Sequence, residues 1–204
     1  MTTIAYWLLW LVLSSMVAWG TEEFRFDSTN AVLQVHVGTS GALGFLGHGH
    51  IMQAPIQRGT LLYRPLDPSR TSVELAVDAR LLRVVDPELS AGDKKKIQAT
   101  MESERVLGVK EFPTISFKST MVEQERDHQL AIHGNLTIRD KTRPVTVHAN
   151  LEPVGPEWKA AGQCQFKQTD FGIRRVTAGL GTVKVQDQIT ITFQVVARQR
   201  QDSE

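Results

Sequence analysis

Cysteine, tyrosine and tryptophan are scarce in this chain, and neither sign of charge dominates. The single cysteine among 204 residues, Cys164, cannot close an intramolecular disulfide or build a cysteine-rich zinc site. Lys plus Arg number 23 against 22 Asp plus Glu, so the formal net charge is +1 and the basic face expected of a nucleic-acid binder is missing. Trp7, Trp10, Trp19 and Tyr6 all fall in the first twenty residues, which leaves only Trp158 and Tyr63 for the rest of the chain. That is too few for the two aromatic girdles of an outer-membrane barrel. No Gly-x-Ser-x-Gly elbow occurs, and the glycine-rich stretch from Gly38 to Gly44 lacks the Gly-Lys-Ser/Thr ending of a phosphate loop. With no nucleophile–base constellation in view, the expectation is a protein that is not an enzyme.

Charged side chains are also absent from Met1 to Gly20, where Ile4 to Val17 is dominated by apolar residues and Ala18-Trp19-Gly20 ends the run with small ones. This is the outline of a secretory signal peptide over residues 1–20, with the folded domain over 21–204. The apolar run is shorter than the ~20 residues of a comfortable membrane span, so export to the periplasm or medium is expected over retention as an anchor helix. Later segments never reach that length without a charge.

From Thr21 onward the dominant period is two. Ile189 to Val195 alternates perfectly, and Leu33 to Val37, Val73 to Asp78, Ile115 to Lys118, Leu136 to Ile138 and Val145 to His148 repeat the pattern. Strands with one apolar and one polar face explain it. Turn signals at Asp67-Pro68-Ser69, Glu125-Arg126-Asp127, Arg139-Asp140-Lys141 and Val154-Gly155-Pro156 separate roughly eight strands, the mark of an all-β barrel or sandwich. Ser90 to Gly108 departs from the pattern. Ile97 and Met101 stand four apart, Ser90 and Asp93 resemble a capping pair and Gly108 suits a C-terminal cap, so one short helix is expected across a barrel opening or against an outer wall. Its Lys94-Lys95-Lys96 run is either a solvated first turn or a contact with an anionic headgroup or membrane surface. The polar tail from Arg198 to Glu204 is expected to fray.

The inward-facing set comprises Leu33, Val35, Leu75, Val77, Ile115, Phe117, Leu136, Ile138, Val147, Phe166, Ile191 and Phe193. An eight-stranded barrel is filled by such side chains or holds one small ligand, and core and cavity wall use the same residue types. An apolar wall suits a long apolar chain, because each buried methylene contributes ~0.8 kcal/mol without polar partners.

Several ordered motifs narrow the choice. Phe112-Pro113-Thr114-Ile115-Ser116-Phe117-Lys118-Ser119 resembles the FPxIxFxS strand of the YceI-like family, also called polyisoprenoid-binding proteins. Gly134-Asn135-Leu136-Thr137-Ile138 with Thr142-Arg143-Pro144-Val145 resembles its GxLTIxGxTxPV hairpin, although Asp140-Lys141 replaces the usual turn. Asp170-Phe171-Gly172-Ile173 matches its DFGI element, Asp187 its closing strand, and Asp67-Pro68 with Ser72-Val73 its early strand pair. The likeness runs from Phe24 to Ala197. It implies an extended antiparallel lipocalin-like barrel whose tunnel takes an isoprenoid, quinone or other long-chain amphiphile, with Phe171 counted among the lining, no cofactor and no catalytic residues. It also implies an exported protein in transport, storage or stress protection. Transient membrane contact and a homodimer are compatible with that role.

Leu46-Gly47-His48-Gly49-His50 departs from the commonest family pattern. In a strand, His48 and His50 face the same way, so they either meet a headgroup at the barrel mouth or chelate Zn²⁺ or Cu²⁺ with a third ligand from His36, His133 or His148. The alternative function is therefore a periplasmic metal-binding protein. Arg174, with Arg175, is either a solvated turn or an anion contact near the mouth. Cys164, between strand neighbours, is expected to be a buried small hydrophobe.

Overall fold

The computed structural model describes residues 22–40, 49–64, 67–155, 157–178 and 183–199. The segment read as a signal peptide therefore lies outside the described residues, as do His48, the end of the glycine-rich stretch and the tail beyond Gln199.

The alternating runs form strands. In chain order these are β1 (Glu22–Phe26), β2 (Ala31–Ser40), β3 (His50–Ala54), β4 (Ile56–Tyr63), β5 (Ser72–Asp78), β6 (Arg83–Val84), β7 (Thr114–Arg126), β8 (Gln129–Ile138), β9 (Lys141–Val154), β10 (Glu157–Lys167), β11 (Thr177–Ala178) and β12 (Val183–Gln199). A helix, α1 (Ala91–Glu102), lies between β6 and β7. All twelve strands belong to one curled antiparallel sheet ordered β1-β4-β5-β7-β8-β9-β10-β12-β2-β3-β6, with β11 paired to β12 off this path, and β1 also pairs with β12. That last pairing joins eight strands into a ring, while β2, β3 and β6 continue from the far half of β12. The architecture is a lipocalin-like all-β barrel with one short helix in a long connection. The expected eight strands become twelve segments because the first third of the chain is cut more finely. Pro55, which has no N–H for a ladder, divides β3 from β4, and the Asp27–Asn30 turn divides β1 from β2.

Two sequence expectations need correction. The tail does not fray at Arg198: Arg25 pairs with Arg198 and Phe24 with Gln199, the contacts that close the ring. Nor does α1 run to Gly108. It stops at Glu102, Ser103 turns extended, and Gly108 takes a left-handed φ of 57° in the following turn, where its N–H donates to the Ser103 carbonyl at 2.8 Å. The N-terminus is as expected. Ser90 Oγ accepts from the Asp93 N–H at 3.1 Å and donates to the Asp93 carboxylate at 2.7 Å, a reciprocal cap.

Polar residues alternate outward, where Glu74 and Lys118 pair across β5 and β7 at 2.7 Å. The inward face stays hollow partly because glycines sit opposite phenylalanines. Gly59 pairs with Phe26 and Gly162 with Phe193. A Cβ on Gly59 would collide with the Phe26 ring, and one on Gly162 with the Phe193 ring and the His148 carbonyl. The rings rest against the sheet, not in the lumen, because glycine leaves room there.

Candidate functional site

The lumen is a cavity of about 460 Å³. Val35, Leu75, Val77, Ile115, Phe117, Leu136, Ile138, Val147, Phe166, Ile191 and Phe193 all lie in its wall. They come from seven different strands and meet because each occupies an inward position of the two-residue period. Phe171 does not stand in the wall. It is 1% exposed and packs edge-on behind Phe166, with ring centroids 5.2 Å apart, since the DFGI element is a 3₁₀ turn and not a strand. Arg174 is exposed and outside the wall, although its neighbours Ile173 and Val176 line it.

The helix covers one end of the lumen: Lys96, Ile97, Thr100 and Met101 line the cavity. Gln98 fixes α1 against β6, accepting from the Val84 N–H at 3.0 Å and donating to the Leu82 carbonyl at 2.7 Å. The Ser90 hydroxyl, and then the Lys96 ammonium at 3.2 Å, hold the Asp93 carboxyl below the ordinary carboxylate range. Lys95 and Lys96 are exposed, and Lys94 is half-buried.

The polar members of the wall, Thr39, His50, Lys96, Thr100 and Gln168, share this end. Thr39 is the penultimate residue of β2, His50 opens β3 and Gln168 follows β10, all at strand ends on the side of α1. At the opposite end, Trp158 of β10 meets Tyr63 of β4 with ring centroids 5.0 Å apart. Phe24 lies nearby in β1, 1% exposed. The cavity thus has an aromatic end, an apolar middle and a polar end.

His50 faces the lumen and is tied to a residue the sequence offered no reason to select. Asp86, 5% exposed, lies thirty-six positions later, and its carboxylate takes His50 Nδ1 at 3.2 Å and the Ile51 N–H at 3.0 Å. The other candidate metal ligands lie on the outer side of the sheet. His36 is bonded to Thr192 Oγ1 at 3.0 Å, His133 to Glu123 at 3.1 Å and Thr146 at 3.0 Å, and His148 to Glu125 at 3.4 Å. His36 precedes an inward Val37 and so points away from His50. Among the described residues no group of three or more His, Cys, Asp or Glu is placed to hold a metal ion. Cys164 is buried in the wall, and burial pushes its thiol up to about 11.

A family model described as the YceI-like domain matches residues 24–197. Protein YceI of Salmonella arizonae is 32% identical over 144 residues, which cover 68% of this chain and 69% of that protein. Among solved structures, BcnA of Burkholderia cenocepacia has a TM-score of 0.62 at 16% identity, covering 84% of this chain and 98% of its own. The Campylobacter jejuni YCEI protein has a TM-score of 0.53 at 15% identity, covering 74% and 82%. At such identities the two structures bear on the fold alone. The sequence match, together with a hollow barrel built on the motif-bearing strands, places the chain in the YceI-like family, as a binding protein of that fold.

Proposed function

We propose that this is an exported, non-enzymatic carrier that holds an isoprenoid or other long-chain amphiphile in the barrel, for transport, storage or stress protection. The supporting observation is the polarity gradient of the wall: an apolar lumen of about 460 Å³ with its polar groups gathered at one end. That volume is typical of a small-molecule site. Ten buried methylenes would contribute ~8 kcal/mol before the cost of immobilising the chain is subtracted. The uncharged apolar opening of the sequence, Met1 to Gly20, supports export to the periplasm or medium.

Organic extraction of the purified protein, followed by mass spectrometry and metal analysis of the same sample, tests this directly. A stoichiometric isoprenoid, quinone or acyl lipid is the expected result. Stoichiometric zinc or copper without lipid would overturn it in favour of a metal-binding protein. Phe117→Asp and Phe193→Asp each put a charge on the apolar wall and should abolish retention. A folded variant that keeps its lipid would show that the cargo lies elsewhere.

A further inference from the structure

Asp86 completes the β3–β6 pairing in an unusual way. The Val85 N–H donates to the Ile51 carbonyl at 2.9 Å, and the Ile51 N–H donates to Asp86 Oδ1 at 3.0 Å, so a side-chain oxygen supplies the next rung of the ladder. This fixes the carboxylate and aims Oδ2 at His50 Nδ1, 3.2 Å away. A carboxylate only accepts, so Nδ1 must carry the proton. In the neutral ring, Nε2 is then an acceptor, and among the described residues it has no partner. His50 stands in the cavity wall at the polar end.

We infer that His50, oriented by Asp86, is a headgroup-selecting acceptor, and that the cavity prefers amphiphiles whose head donates a hydrogen bond, that is, an alcohol or phenol hydroxyl. The inference rests on the carrier reading above and adds the chemistry of the head. His50 touches the ligand; Asp86 is a positioning residue that acts through the ring's tautomer. Two other polar members share in this preference. The Thr100 hydroxyl is already donated to the Lys96 carbonyl at 3.0 Å and Gln168 Nε2 to the Gln186 carbonyl, so each has an acceptor oxygen left for a ligand. The Lys96 ammonium donates to Asp93 at 3.2 Å.

Farnesol and farnesyl methyl ether separate the two ideas, since they share a tail and an acceptor oxygen but only the alcohol can donate. Delipidated full-length protein at about pH 8 should bind farnesol about tenfold more tightly than the ether, the scale of one buried hydrogen bond. His50→Leu should bring the two most of the way together while keeping ether affinity. Asp86→Asn gives a sharper result. Its Oδ1 stays on the Ile51 N–H, so its amide nitrogen faces Nδ1 and donates, and the proton moves to Nε2. The preference for the alcohol should then fall sharply without loss of tail binding, whereas a merely structural change would weaken both probes together. Nitrogen-15 NMR of the native imidazole should show protonated Nδ1 and bare Nε2, whether or not the variants fold. Equal affinities in the native protein, an unchanged ratio in Asp86→Asn, or a native Nε2–H tautomer would each overturn the inference. Failure of both probes to bind would instead overturn the carrier reading beneath it.

Discussion

At one end of the barrel two rings, Tyr63 and Trp158, meet 5.0 Å apart. At the other end lies a 12-residue helix, capped by Ser90 and tied to β6 by Gln98, near a histidine bonded to a buried carboxylate. The same sheet supplies both, since successive strands run up and down and each contributes a residue to either end. The aromatic end is held by burial and ring contact, which are non-directional and tolerate small shifts. The polar end is held by oriented hydrogen bonds, each modest in net value and expensive to leave unmade. A ligand meeting both ends is oriented without a clamp: its tail is excluded from the polar end by unsatisfied groups, and its head from the aromatic end by lack of partners. The helix end is also the one expected to open locally, since few apolar contacts secure it.

Trp158→Ala should break this comparison most severely. It removes the ring contact to Tyr63 and part of the seal, with an expected loss of about 2 to 3 kcal/mol in denaturant unfolding, below the full value for a buried tryptophan because Trp158 is only half-buried. Co-purified lipids should shift toward longer tails as that end opens. Unchanged stability and an unchanged tail distribution would mean that the rings do not bound the cavity.

Ser90→Ala acts on the opposite end with a smaller effect, about 1 kcal/mol for a lost helix cap. Faster amide exchange confined to α1 is the expected signature. The cap also carries a pH dependence of known sign. Hydrogen bonding to Ser90, and then the Lys96 ammonium, lowers the Asp93 carboxyl below its ordinary range. A group so depressed in the folded state contributes stability that is complete above the unfolded value, about pH 4, and is lost as pH falls through the folded one. Exchange in α1 should accelerate below that pH in the native protein, with a smaller step in Ser90→Ala. A global rather than local response would argue that α1 is part of the main folding unit.

Much of the wall was legible because a two-residue period is a geometric instruction: once Ile189 to Val195 is a strand, Ile191 and Phe193 share a face. The family motifs located the strands that carry it. Phe171 was misjudged because its apolar character says that it is buried but not on which side of Phe166 it lies. Asp86 was invisible for a different reason. Nothing local marks it, and its role arises only when β6 folds back onto β3 and brings it to His50. The closing of the ring by Arg198 and Gln199 was likewise hidden, because polar residues at a chain end look like a tail until a partner strand is found.

Cys164 offers the mildest and most discriminating probe of the two ends, since it lies in the wall of β10 between Trp158 and Gln168. With its thiol pushed up to about 11 by burial, the reactive thiolate at pH 8 is only ~10⁻³ of the total. Even allowing for the higher intrinsic nucleophilicity of a basic thiolate, its reaction with a water-soluble disulfide reagent should be at least about tenfold slower than that of an exposed cysteine. Opening at the helix end should speed the reaction in Ser90→Ala, because the reagent enters where hydrogen bonds were lost. Lipid in the lumen should slow it again. If Trp158→Ala accelerates labelling as much as Ser90→Ala does, the two ends open alike, and the contrast between ring packing and hydrogen bonding has no dynamic counterpart.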